Sequence, residues 1–127
     1  MKDMKILIVD DEQEFASTLA ERLVMRDFDT TVAYTGKDAL SITSSTTFDV
    51  VLLDLKMPDM SGLEVLEKIK AHDPSVEVIM LTGHGSTARS LNGMDRGAFD
   101  YLMKPVELSE LIIKIKQAYE KRQLNKA

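Results

Sequence analysis

Cysteine is absent from this sequence, which removes disulfide frameworks, thiolate metal sites and cysteine nucleophiles together. The absence fits a reducing compartment, and the cytoplasm is the expected location. Histidine is scarce: His72 and His84 are too few and too far apart in sequence to suggest a zinc site. No stretch approaches the roughly 18 apolar residues of a membrane span, and the start of the chain lacks the charged-then-apolar pattern of a targeting segment. Basic charge is also in deficit. With 16 Lys and Arg against 21 Asp and Glu, the net charge is -5. That balance argues against direct nucleic-acid binding, because such affinity comes mainly from cations neutralising phosphates. Nor does a glycine-rich or hydroxyl-rich loop follow the first apolar run, so a phosphate cradle for a nucleotide or flavin is not expected there.

What is present is the material of one domain: 127 residues suffice for a single core without staples. Apolar runs bounded by turn residues occur at Lys5 to Val9, Asp49 to Leu53 and Val76 to Leu81, with shorter ones at Thr30 to Tyr34 and Phe99 to Met103. The first and third of the long runs do not alternate with polar residues, as expected of strands buried on both faces. Helical spacing fills the intervals. Phe15, Leu19 and Leu23, flanked by Ala16, Ala20 and Val24, form one stripe, and Leu63, Leu66 and Ile69 another, ending near His72 before Pro74. A shorter helix follows Gly36. Leu108, Leu111, Ile112, Ile115, Ala118 and Tyr119 give the last helix an i, i+3, i+4, i+7 face. Five strands alternating with five helices predict a parallel α/β sheet covered on both faces, with ligands beyond the carboxyl ends of the strands.

Those ends carry the chemistry. Asp10 and Asp11 follow the first run, Asp54 the third in chain order, Thr82 the fourth and Lys104 the fifth. Two carboxylates about 4 Å apart repel by roughly 4 kcal/mol at an effective dielectric near 20, so a neutralising cation is expected. Carboxylates without histidine or cysteine suit a hard, oxygen-seeking dication, Mg²⁺ above all, with Mn²⁺ as a substitute. A dication, an amine, a hydroxyl and a lone strand-tip carboxylate are the parts of a phosphoryl-transfer site with an aspartate nucleophile.

The segments "ILIVDDE", "DVVLLDLKMPDMSG", "VIMLTGHG" and "GAFDYLMKP" together resemble the response-regulator receiver domain of two-component signalling, over nearly the whole chain. The resemblance implies a flavodoxin-like, doubly wound (βα)5 domain of strand order 2-1-3-4-5. It implies that Asp54 is the phosphoacceptor, taking a phosphoryl group from a sensor histidine kinase or a histidine phosphotransfer protein. Asp11, Asp54 and the backbone carbonyl of Lys56 would ligate Mg²⁺, with Asp10 helping directly or through water; Thr82 and Lys104 would bind the phosphoryl group; Thr82 and Tyr101 would act as the switch pair. The implied output is a changed surface, from the fourth helix to the fifth strand, that controls an output domain or partner or supports a phosphorylation-dependent dimer. The rival from another class is a Mg²⁺-dependent phosphatase with an aspartate nucleophile. Such enzymes generally want a second acid two residues beyond the nucleophile, where this chain has Lys56.

Several residues also have plainer readings. Asp10 and Asp11 could form a solvated turn or cap the first helix, Thr82 could be an ordinary strand residue, Lys104 a surface amine and Tyr101 packing. Glu12 is expected in the first turn of a helix, where a carboxylate suits the dipole. Glu64, Glu67, Lys68 and Lys70 read as a solvated helix face. Lys56 and His84, two residues beyond Asp54 and Thr82, are expected to tune dephosphorylation. The stretch "STARSLNGMDRG" has a thin apolar face, with Gly93 costing about 1 kcal/mol relative to Ala inside a helix, so residues 84 to 97 are expected to form a marginal helix that exchanges its amide hydrogens faster than the last helix and changes most on phosphorylation. The receiver is expected to span residues 1–122. Residues 123–127 would be a polar tail or the start of a linker, with "KRQLNKA" polar enough to fray.

Overall fold

The computed structural model describes residues 4–83 and 92–126. Strands β1 (Lys5–Val9), β2 (Asp29–Ala33), β3 (Val50–Asp54), β4 (Glu77–Thr82) and β5 (Asp100–Met103) form one parallel sheet of order β2-β1-β3-β4-β5. Between them run α1 (Gln13–Val24), α2 (Gly36–Ser45) and α3 (Gly62–His72); residues 92–95 are helical, and a C-terminal helix spans Leu108–Lys126. This is the doubly wound fold expected from the sequence.

Alternation along the strands explains why both faces are apolar. Ile6 and Ile8 of β1, with Val50 and Leu52 of β3, enter the core shared with α1 and the C-terminal helix. Leu7 and Val9, with Val51 and Leu53, enter the core shared with α2 and α3. All eight are wholly buried, and each such side chain contributes about 2 kcal/mol of apolar transfer free energy. Asp10 and Asp54 continue the alternation of Ile6 and Ile8 and of Val50 and Leu52, one step beyond the apolar stretch.

The chain departs from the sequence expectation at three places. The segment "KRQLNK" is helical through Lys126, and Arg122, buried on the inner face of that helix, is bonded to groups at the base of the sheet. Lys70 is not on a solvated face: its ammonium donates to the carbonyls of Pro74 and Val76 at 2.9 and 2.8 Å. Glu12 is not inside the first turn of α1 but at its N-cap, with extended backbone (φ -77°, ψ 91°). Gly93 has a packing reason, since a Cβ there would lie 2.0 Å from the Met80 sulfur. Of the segment 84 to 97, residues 84–91 lie outside the described residues, and His84 with them.

Candidate functional site at the carboxyl rim of the sheet

Strand order reverses between β1 and β3, and the crevice at such a switch point is where open α/β sheets place ligands. Asp10 and Asp54 sit there, both buried. Asp10 is held by its neighbours: its own N–H donates to the Ala33 carbonyl at 3.1 Å, and its Oδ1 accepts the Glu12 N–H at 2.9 Å. Asp54 Oδ1 accepts the Lys56 N–H at 3.3 Å. The loop beyond Asp54 is braced on two sides. Asp59 accepts the backbone N–H groups of Gly36 and Lys37 at the start of α2, which hold its carboxyl below the usual range. Gly62 lets α3 begin against the strand tip, where a Cβ would lie 2.6 Å from the Asp54 carbonyl oxygen; its N–H donates to the Leu55 carbonyl at 3.2 Å.

Lys104 enters from the far side of the sheet. Its N–H extends the ladder to the Thr82 carbonyl at 2.8 Å, and the bond from Lys104 to Pro105 is cis. The ammonium donates to Asp10 Oδ2 at 2.7 Å and Glu12 Oε1 at 2.9 Å, lies 3.8 Å from Asp54 Oδ1, and rests 4.6 Å from the centre of the Phe15 ring. Burial works against its charge, but the bonds it donates to Asp10 and Glu12 prevail and raise its pKa. At Asp54 the balance falls the other way. Burial first and the neighbouring Asp10 charge second push its pKa up to about 7, against the lowering pull of Lys104 and the Lys56 amide, with Asp11 adding to the rise.

Carboxylate oxygens of Asp10, Glu12 and Asp54 lie within 4.8 Å of one another, a donor set without nitrogen or sulfur and with one ammonium among three acids. A hard dication fits both the oxygen chemistry and the charge deficit. Of the residues singled out from sequence, Asp10, Asp54 and Lys104 are brought together. Asp11, half-exposed, lies near enough to raise the Asp54 pKa but is not in the close triad. Thr82 is buried at the end of β4, opposite Met103; the Lys56 side chain is exposed; Tyr101 is half-buried against the core beneath α2 and α3. Glu12, which sequence reasoning left to the helix dipole, is the addition.

Residues 6–116 match the family described as the response regulator receiver domain. The chain is similar to a response regulator receiver domain protein of Clostridium thermocellum, with 36% identity and a TM-score of 0.90 over 95% of this chain and 98% of that one. It is also similar to a CheY-like receiver domain protein of Methanospirillum hungatei, at 33% identity and a TM-score of 0.91 over 96% and 98% of the two chains. Among curated relatives, the response regulator ArlR of Staphylococcus saprophyticus is 37% identical over 88% of this chain and 50% of its own length. The regulatory protein AtoC of Escherichia coli is 33% identical over 96% of this chain and 26% of its own. The chain thus spans half or less of the length of these two curated relatives.

Proposed function

This chain belongs to the response regulator receiver domain family, and from that premise we propose that Asp54 accepts a phosphoryl group and thereby changes the protein's surface. The observation that carries the reading is the charge arrangement around Asp54: a buried carboxylate at a strand tip, beside two further acids and a single ammonium 3.8 Å away.

The step is a displacement at phosphorus. An Asp54 oxygen forms the new bond, the phosphorus bond to the donor's imidazole nitrogen breaks, and its electron pair leaves with that nitrogen. For this the Asp54 carboxylate must be ionised, so its raised pKa is a barrier that nearby positive charge removes. Asp10 and Asp54, with Asp11 and the Lys56 carbonyl, would hold Mg²⁺. When bound, that ion offsets the charge of the acids and of the incoming phosphoryl oxygens. Lys104 then pairs with the phosphoryl oxygens and Thr82 donates its hydroxyl to one of them, both charge-assisted bonds. Movement of Thr82 draws Tyr101 inward and alters the region between β4 and β5. Moving such an equilibrium from 1:99 to 99:1 takes roughly 5.5 kcal/mol, within reach of a few such bonds. Lys56, exposed beside the site, would modulate hydrolysis of the phosphoryl group. A histidine kinase or phosphotransfer protein would supply the group, and an output domain or partner protein would read the result.

Mass analysis after incubation with acetyl phosphate and Mg²⁺ tests the reading. The wild type should gain the mass of one phosphoryl group and Asp54→Ala should gain none; an equal response from both would overturn it.

A further inference from the structure

Glu12 is a poor N-cap by residue type, since Ser, Thr, Asp and Asn are the side chains that bond the free N–H groups of a first turn. The other two helices that follow strands β2 and β3 obey the rule: Thr35 accepts the Asp38 N–H and Ser61 the Leu63 N–H. At α1 the cap position makes no side-chain cap bond. Its carboxylate instead reaches across to the Lys104 ammonium at 2.9 Å. A local rule is broken at a functional rim, with a specific contact in its place.

That contact competes with the reading of Asp54 given above, on which this inference rests. An ammonium has three N–H donors. Two of those on Lys104 are committed to Asp10 and Glu12, and the Phe15 ring lies against the same group, while the 3.8 Å approach to Asp54 is too long for a hydrogen bond. The Glu12 backbone is fixed at both ends, its N–H to Asp10 Oδ1 and its carbonyl accepting from Ala16 at 3.0 Å. Its side chain therefore sits within constant reach of Lys104. Yet Glu12 remains largely exposed, with 65% of the side chain accessible, so water can solvate its carboxylate once the ammonium leaves.

We propose that Glu12 is a positioning residue that restrains Lys104: it holds the ammonium away from Asp54 in the unphosphorylated protein and opposes its transfer to a phosphoryl group. Asp10 would not play this part alone: in the proposed site it would also hold Mg²⁺ and share its charge there, whereas the exposed Glu12 carboxylate is not among the residues given that role and stays on Lys104. Glu12 is then the competitor that sets how strongly the active arrangement is held.

Beryllofluoride, a phosphoryl mimic, titrated at saturating Mg²⁺ and followed by backbone amide resonances, tests this without any turnover. Glu12→Gln keeps the side-chain shape and removes the charge; it should bind the mimic about threefold to fivefold more tightly, the range of a partly exposed ion pair. Before any mimic is added, the Lys104 Cε resonance should already be shifted in that variant. Glu14→Gln makes the same charge change on a nearby exposed residue and should leave affinity within about twofold. An unchanged or weaker affinity in Glu12→Gln, an unmoved Lys104 resonance, or an equal gain in Glu14→Gln would each overturn the proposal. A wild type that fails to bind the mimic with Mg²⁺ would overturn the phosphoacceptor reading itself.

Discussion

The two ends of the same sheet both bury charge, and they do so in opposite ways. At the carboxyl rim, Asp10, Glu12 and Asp54 share one ammonium, and the Asp54 carboxyl is pushed up to about 7. At the amino edge, Asp49, Asp73 and Glu77 face Arg122, Lys70 and Lys121, three acids against three cations. Arg122 donates to Asp49 Oδ1 at 2.9 Å, Asp73 Oδ2 at 3.2 Å and Ser75 Oγ at 2.6 Å. Desolvation opposes the Asp73 charge, but its bonds from Ser75 and Arg122 prevail and lower its pKa. A charge cluster that only holds the fold balances its charges within itself. One that awaits a cation and a phosphoryl group leaves its deficit in place, and perturbed carboxylates mark it.

Removing the centre of the balanced cluster should have the largest effect on stability. Arg122→Ala strands Asp49 and Asp73 without their shared donor, and breaking a buried charged network by one partner costs about 3 kcal/mol. Urea unfolding should show that loss. If the lower cluster were as provisional as the upper one, the midpoint would barely move, and the contrast would fail.

The unbalanced rim should announce itself through pH. The Asp54 pKa is raised from 3.8 to about 7 on folding, so between those values the native state holds more protons than the unfolded chain. Stability therefore falls as pH rises through that window and levels off above it. In Mg²⁺-free buffer, the wild type should lose about 2 kcal/mol between pH 5.5 and 8 relative to Asp54→Asn, in which this group cannot titrate. Mg²⁺ should flatten the wild-type curve, since it favours the ionised carboxylate. A wild-type curve parallel to that of Asp54→Asn without Mg²⁺ would show that the deficit is already neutralised within the protein.

The rim and the fold were legible in the sequence because both rest on local patterns: unbroken apolar runs for buried strands, and polar residues where those runs stop. Asp10, Asp54 and Lys104 each stand where a strand's apolar run ends, so placing the strands placed the residues. Glu12 and Lys104 are 92 positions apart, and nothing in either neighbourhood announces the pair. Arg122 was more accessible. It lies four residues after Ala118 and seven after Ile115, on the buried face of the C-terminal helix, and an arginine on an apolar stripe signals a buried partner. Lys70 reads as solvent-facing by composition, and its turn toward Pro74 and Val76 depends on how α3 meets β4.

The finest test of the contrast lies within the balanced cluster. Glu77 is wholly buried at the start of β4, and neither of its side-chain oxygens has a hydrogen-bond partner among the described residues. Lys70 and Lys121 approach one oxygen each at 3.7 Å, near enough for attraction but not for a bond. Its burial therefore costs desolvation that two unbonded ion pairs only partly return. Glu77→Gln removes the charge, and with it the larger part of that cost and the attraction together, leaving a neutral amide in its place. Lys70 keeps its two carbonyl acceptors, and the half-exposed Lys121 turns to water. The net change should be under about 1 kcal/mol, well below that of Arg122→Ala. An equal loss from the two variants, measured by urea unfolding at one pH, would mean that charge rather than hydrogen bonding holds the lower cluster. The two ends of the sheet would then differ in the number of their cations and not in kind.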